Sequence, residues 1–68
     1  MISLEEIILT LPEFEAIRLI DLEEIPQEQA AKKMKISQPT FSRILTSARK
    51  KISEAIIKGK AIKIEGNI

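Results

Sequence analysis

Apolar and polar positions change their period several times along this chain, and each change predicts an element. Residues 2–9 are rich in Ile and Leu but carry no helical stripe. The β-branched Ile7 and Ile8 point to an extended segment or short strand. Thr10 then offers a helix N-cap, and Glu13 three residues later completes a capping box. Pro12 falls in the first turn, where its missing N–H would have had no partner. The predicted helix runs from residue 11 to about 22. Its apolar residues (Leu11, Phe14, Ala16, Ile17, Leu19, Ile20 and Leu22) spread over more than one face, which predicts cover on two sides. Pro26 opens a second helix over 27–34, and Lys35, Ile36 and Ser37 form a turn. Ser37 caps a third helix with Pro39 in its first turn. Phe41, Ile44, Leu45, Ala48, Ile52, Ala55 and Ile56 recur mostly at spacings of three and four, which carries that helix to about Lys58, with Gly59 ending it. Residues 61–65 alternate, Ile62 and Ile64 against Lys63 and Glu65, as a short strand does. That strand has residues 2–9 as a partner, within one chain or across a dimer.

The stretch 27–46 has the pattern of a helix-turn-helix. Two helices crossing through a tight turn need a small residue at the contact (Ala31), apolar residues flanking the turn (Met34 and Ile36), and others seating the second helix on the first (Phe41 and Ile44). In such a unit the second helix presents polar side chains to the DNA major groove. Gln38, Thr40, Ser42, Arg43 and Thr46 are the candidate base contacts, with Arg43 suited to a guanine edge. Lys35, Ser37, Ser47, Arg49 and Lys50 are the candidate phosphate contacts. Lys51 belongs to the same basic cluster by sequence, and the N–H groups at Ser37 and Gln38 suit an anion. An ordinary helical hairpin would share the apolar spacing but has no need of this outward set. Lys35 stands where many such turns have Gly, and a positive φ there would cost of order 1 kcal/mol.

Charge sharpens this reading. The net charge of +1 hides a division: residues 1–29 hold eight acids against Arg18 alone, and residues 30–68 hold ten bases against Glu54 and Glu65. The basic half contains the candidate reading helix, the segregation expected of a phosphate-binding face. With 68 residues the chain is one domain with a small core, for which self-association is a natural support. It has neither Cys nor His, which removes disulfides and the usual transition-metal ligand sets, so no metal or cofactor is expected. No apolar run reaches the length of a membrane span, and a cytoplasmic protein is expected. Enzyme chemistry lacks its parts. Asp21, Glu23 and Glu24 have no His, Cys or Tyr beside them, the serines have no His base, and Gly59-Lys60 lacks the spacing of a phosphate loop.

The segments Leu4-Glu5-Glu6, Glu13-Phe14-Glu15-Ala16-Ile17-Arg18-Leu19-Ile20-Asp21, Ala30-Ala31-Lys32-Lys33-Met34, Ser37-Gln38-Pro39-Thr40-Phe41-Ser42-Arg43-Ile44, Ala48-Arg49-Lys50-Lys51 and Gly59-Lys60-Ala61-Ile62 together resemble the domain-of-unknown-function 134 family. These are small prokaryotic proteins with a helix-turn-helix similar to region 4 of sigma factors. The resemblance covers nearly the whole chain and implies a DNA-binding, regulatory protein. Family members commonly carry a basic, Cys-containing segment ahead of the position of Leu4, and no chemistry of that segment is carried over to these residues.

The expectation is therefore a single, mainly helical helix-turn-helix domain over 1–68, with short terminal strands and a reading helix over 38–58. It would bind double-stranded DNA and regulate transcription as a homodimer. Ile7, Leu9, Ile20, Ile56, Ile57, Ile62 and Ile64 are the candidate dimer contacts. The alternative is a protein-interaction module that docks a partner in the transcription machinery through the acidic first helix.

Overall fold

The computed structural model describes residues 5–66. Residues 2–4 of the expected N-terminal strand lie outside the described residues. Strand β1 (Glu6–Leu9) leads into helix α1 (Leu11–Ile17), which continues as a π-helical turn over Arg18–Leu22. Helices α2 (Gln27–Lys33) and α3 (Gln38–Lys58) follow, and strand β2 (Ala61–Ile64) comes last. Among the described residues the fold is mainly helical, three helices and one small sheet.

Local chemistry sets most of these boundaries. The Thr10 hydroxyl accepts from Glu13 N–H at 3.2 Å while Thr10 N–H donates to Glu13 Oε1 at 2.8 Å, so the expected capping box starts α1. Gly59, at φ 66°, closes α3 in the left-handed conformation that glycine adopts without strain. The second half of the first helix departs from the expected α-helix. There Glu23 N–H reaches back five residues to the Arg18 carbonyl at 3.0 Å, and the turn widens. The Arg18 guanidinium spans it, bonded to Glu15 at 3.0 Å and also to Glu23.

The core lies where the three helices meet. Ala16 and Leu19 of the first helix, Ala30 and Ala31 of α2, and Phe41 and Leu45 of α3 are all buried, and Ile17, Ile20, Ile25, Met34, Ile36 and Ile44 pack around them. Ala30 and Ala31 are small at the crossing of α2 and α3, which brings the two backbones close. The two strands pair in parallel within one protomer, Glu6 beside Ala61 and Leu9 beside Ile64. Leu9 is buried against the helices, while Ile8 on the other face is exposed.

This placement corrects part of the expected dimer surface, because Leu9 is buried within the protomer; Ile20 is half-buried against the core. Cover on two sides of α1 is also only partial. Leu11, Phe14 and Leu22 remain exposed on its outer side.

Candidate nucleic-acid interface

The turn joining α2 to α3 is held by its backbone. Ile36 N–H donates to the Ala31 carbonyl at 3.1 Å and Lys35 N–H to the Lys32 carbonyl at 3.0 Å. These are the two bonds of a Schellman motif, with Ile36 packed back on the core. Lys35 occupies its left-handed position at φ 60°, where glycine is usual. The extended Ser37 then caps α3. Its hydroxyl accepts from Thr40 N–H at 3.3 Å and donates to the Thr40 hydroxyl at 3.0 Å.

Helix α3 divides lengthwise into two stripes with the same alternating spacing of three and four. Phe41, Leu45, Ala48, Ile52 and Ala55 face the protein, and Ile52 alone of these is only half-buried. On the opposite side Arg43, Thr46, Lys50, Ser53 and Ile57 are all exposed, with Ser42 beside Thr46. Arg43 and Lys50 are seven residues apart, about 10 Å along the helix. Four candidate side chains (Ser42, Arg43, Thr46 and Lys50) thus share one open face. Gln38 and Thr40 are exposed in the first turn, and Lys35 and Ser37 are exposed just before it.

The remaining candidates are engaged with the first helix. The Ser47 hydroxyl donates to Glu13 Oε2. Arg49 bonds both oxygens of Asp21, at 2.7 and 3.3 Å, and those bonds raise the Arg49 pKa further. Lys51 leaves the basic face altogether, since its ammonium contacts Glu13 Oε1 and the Ile8 carbonyl, each at 2.8 Å. Its place as a phosphate anchor is corrected: seven positions after Ile44, Lys51 turns to the side of α3 that meets α1 and β1.

Glu13 is the buried centre of this network. Burial by itself pushes its carboxyl pKa up, but hydrogen bonds from Lys51, Ser47 and Thr10 N–H outweigh burial and bring it from 4.5 down to about 2. At the far end of α3, Lys60 bonds Glu54 at 2.9 Å and reaches Glu5 at 3.3 Å. These bonds lower the Glu54 pKa and raise that of Lys60.

Ion pairing divides the basic residues into two sets. Lys32 pairs with Glu28 at 3.7 Å, and Arg49, Lys51 and Lys60 have the carboxylates described above. Lys33, Lys35, Arg43, Lys50, Lys58 and Lys63 are exposed and form no ion pair among the described residues; the first four lie on α2, the turn and the open face of α3, Lys58 at the end of α3 and Lys63 on β2. Lys33 did not stand out in the sequence, although a signal was present. One helical turn before Lys32 is Glu28, whereas one turn before Lys33 is the neutral Gln29.

The described surface has no pocket, and no cluster of carboxylates among the described residues is placed to hold a metal ion. Among those residues no helix is long and apolar enough to cross a membrane.

Residues 2–67 match the family described as "Protein of unknown function DUF134". The chain is 62% identical over 63 residues to a UPF0251 protein of Caldanaerobacter subterraneus, covering 93% of this chain and 53% of that protein. It is 56% identical over 66 residues to a UPF0251 protein of Thermoanaerobacter pseudethanolicus, covering 97% and 56% respectively. A UPF0251 protein of Prosthecochloris aestuarii is 49% identical over 67 residues, covering 98% of this chain and 43% of that one. The chain spans about half the length of the curated relatives it matches. No solved structure matches it.

Proposed function

This chain belongs to the DUF134 family, and on that premise we propose that it binds double-stranded DNA with sequence preference, as a cytoplasmic transcription regulator, by a helix-turn-helix formed by α2 and α3. The observation that carries this reading is the clustering of Lys33, Lys35, Arg43 and Lys50, four of the exposed cations that form no ion pair among the described residues, around the turn and the open face of α3. Lys32, Arg49, Lys51 and Lys60 are tied to acids, and the other unpaired cations, Lys58 and Lys63, stand at the far end of α3 and on β2. A groove about 12 Å wide admits a helix, and side chains about 10 Å apart along it reach base edges and flanking phosphates together. Arg43 is then the guanine reader, with Gln38, Ser42 and Thr46 on neighbouring base edges and Thr40 at the helix start. Lys33, Lys35 and Lys50 hold phosphates, with the Ser37 cap beside them. Arg49 joins them only by exchanging Asp21 for phosphate, and Ser47 lies towards α1.

The alternative, a docking module working through α1, has one observation in its favour: the exposed Leu11, Phe14 and Leu22. Its acidic character works against it. Glu13 is buried and paired, Glu15 is bonded to Arg18 and Asp21 to Arg49, so α1 offers a partner little free negative charge.

Fluorescence anisotropy with mixed-sequence duplexes at two salt concentrations separates the two. Roughly three to five Lys and Arg contacts give log affinity a slope of about −3 to −5 against log salt. Arg43→Ala relaxes preference at one base pair and costs about 1–3 kcal/mol, whereas Lys50→Ala weakens all duplexes alike. Absence of binding at about 50 mM salt, or binding indifferent to salt, would overturn the reading in favour of protein docking.

A further inference from the structure

The open stripe of α3 extends one step further back than Arg43. Pro39 stands four positions before Arg43 and three before Ser42, which puts it on the same face, and it is exposed. From Pro39 to Thr46 is about 10 Å along the helix, within the width of a major groove. The other exposed side chains of that face over this span, Ser42, Arg43 and Thr46, all carry hydrogen-bonding groups. The next exposed apolar residue of the stripe is Ile57, about 27 Å beyond Pro39. A proline in the first turn is tolerated whichever way that turn faces. Here it faces the open side.

Phosphate is a poor partner for this end of α3. The first N–H groups of a helix ordinarily suit an anion. Pro39 has no N–H, however, and that of Thr40 is taken by the Ser37 hydroxyl at 3.3 Å. Of the first three positions of α3, only Gln38 keeps a donor for phosphate. The tip of the helix thus grips the DNA backbone weakly and offers an apolar ring where base edges lie. The apolar group that base edges present in the major groove is the C5-methyl of thymine.

Resting on the DNA-binding reading above, we infer that Pro39 is a specificity-determining residue. It packs on the C5-methyl of a thymine within about two base pairs of the guanine read by Arg43. The thymine is selected by apolar contact, with no hydrogen bond from Pro39. Burying one methyl group is worth about fourfold in affinity. Thr46, with a methyl of its own seven residues on, is the rival for this role.

The test uses a short duplex selected from a random pool by the whole chain. Each thymine is replaced in turn by deoxyuridine, which removes only the methyl, and affinity is read by fluorescence anisotropy. One position near the base pair that answers to Arg43→Ala should lose about fourfold. At that position 5-methylcytosine·guanine should bind about fourfold better than cytosine·guanine, because the methyl is restored. Pro39→Ser should erase both methyl effects, and Pro39→Ala, which keeps a smaller apolar group, should shrink them to about twofold. Thr46→Ser removes a methyl but keeps the hydroxyl, and should leave both effects intact. Circular dichroism should show all three variants as helical as the parent. Sequence-dependent binding in which no thymine methyl matters overturns the inference and leaves the DNA reading standing. So do methyl effects that survive in both Pro39 variants or vanish in T46S. Absence of duplex binding at about 50 mM salt overturns both.

Discussion

Replacing Glu13 by Gln tests whether one buried carboxylate ties the first helix to α3. The Gln keeps the shape and an oxygen for Thr10 N–H, but removes the charge that Lys51 and Ser47 address. The carboxyl pKa falls from 4.5 to about 2 on folding, and at about 1.4 kcal/mol per tenfold change in proton affinity that sets an upper limit near 3 kcal/mol. Lys51 is 34% exposed, so solvent screens part of its attraction, and about 2 kcal/mol is expected at neutral pH. For a domain of this size that is a melting temperature lower by roughly 10 °C. A depressed carboxyl pKa gives stability that is fully present above 4.5 and lost as the pH falls through about 2. Thermal or urea unfolding followed by circular dichroism should therefore show the parent and E13Q far apart at pH 7 and converging towards pH 2. A gap that stays constant over that range would refute the electrostatic account and leave only altered packing. No gap at pH 7 would refute the role of Glu13 altogether.

Two further changes probe the candidate interface. Asp21→Asn should free Arg49 for phosphate, raising affinity for duplex DNA about two- to fivefold and deepening the salt slope by about one, while stability changes by less than about 1 kcal/mol because the pair is exposed. Anisotropy measures this, and an unchanged slope would place Arg49 outside the DNA contact. Lys35→Gly should leave the fold as stable as before or up to about 1 kcal/mol more stable, the relief at φ 60° being offset by glycine's greater freedom in the unfolded chain. The same change should weaken DNA binding. A melting temperature several degrees lower would contradict the first part, and full DNA affinity the second.

The sequence announced whatever is decided within a few residues. Thr10 with Glu13, Ser37, and Gly59 each bring a cap of their own, and the repeating apolar positions of α3 select the face that meets the core. The Lys35 turn was legible as a turn, and its positive φ follows from the backbone bonds that close it. The π-turn at Arg18–Leu22 had no such mark, because its apolar spacing reads equally well as α-helix. Nor did local spacing indicate that Glu13 meets Ser47 and Lys51, 34 and 38 positions away, or that Asp21 meets Arg49. For that reason Ser47 and Arg49 stood beside Lys50 as phosphate contacts in sequence, and Lys51 within the same basic cluster. Only the crossing of α1 over α3 separates the cations it engages from those it leaves open.

The parallel pairing of β1 with β2 also dictates the order in which this fold can assemble. Its partners come from opposite ends of the described chain, Glu6 and Ala61 being 55 positions apart. Closing a loop of that length costs about 3.5 kcal/mol or more in chain entropy before any strand bond forms. The hairpin of α2 and α3 has no comparable search to make, since its contacts are local, and such contacts form first. The sheet is therefore the last part to close and the first to open. Mutations within it act mainly on the unfolding rate, whereas mutations where α2 meets α3 act on the folding rate. Amide hydrogens of Ile7 and Leu9 should exchange through openings that leave the two-helix unit intact.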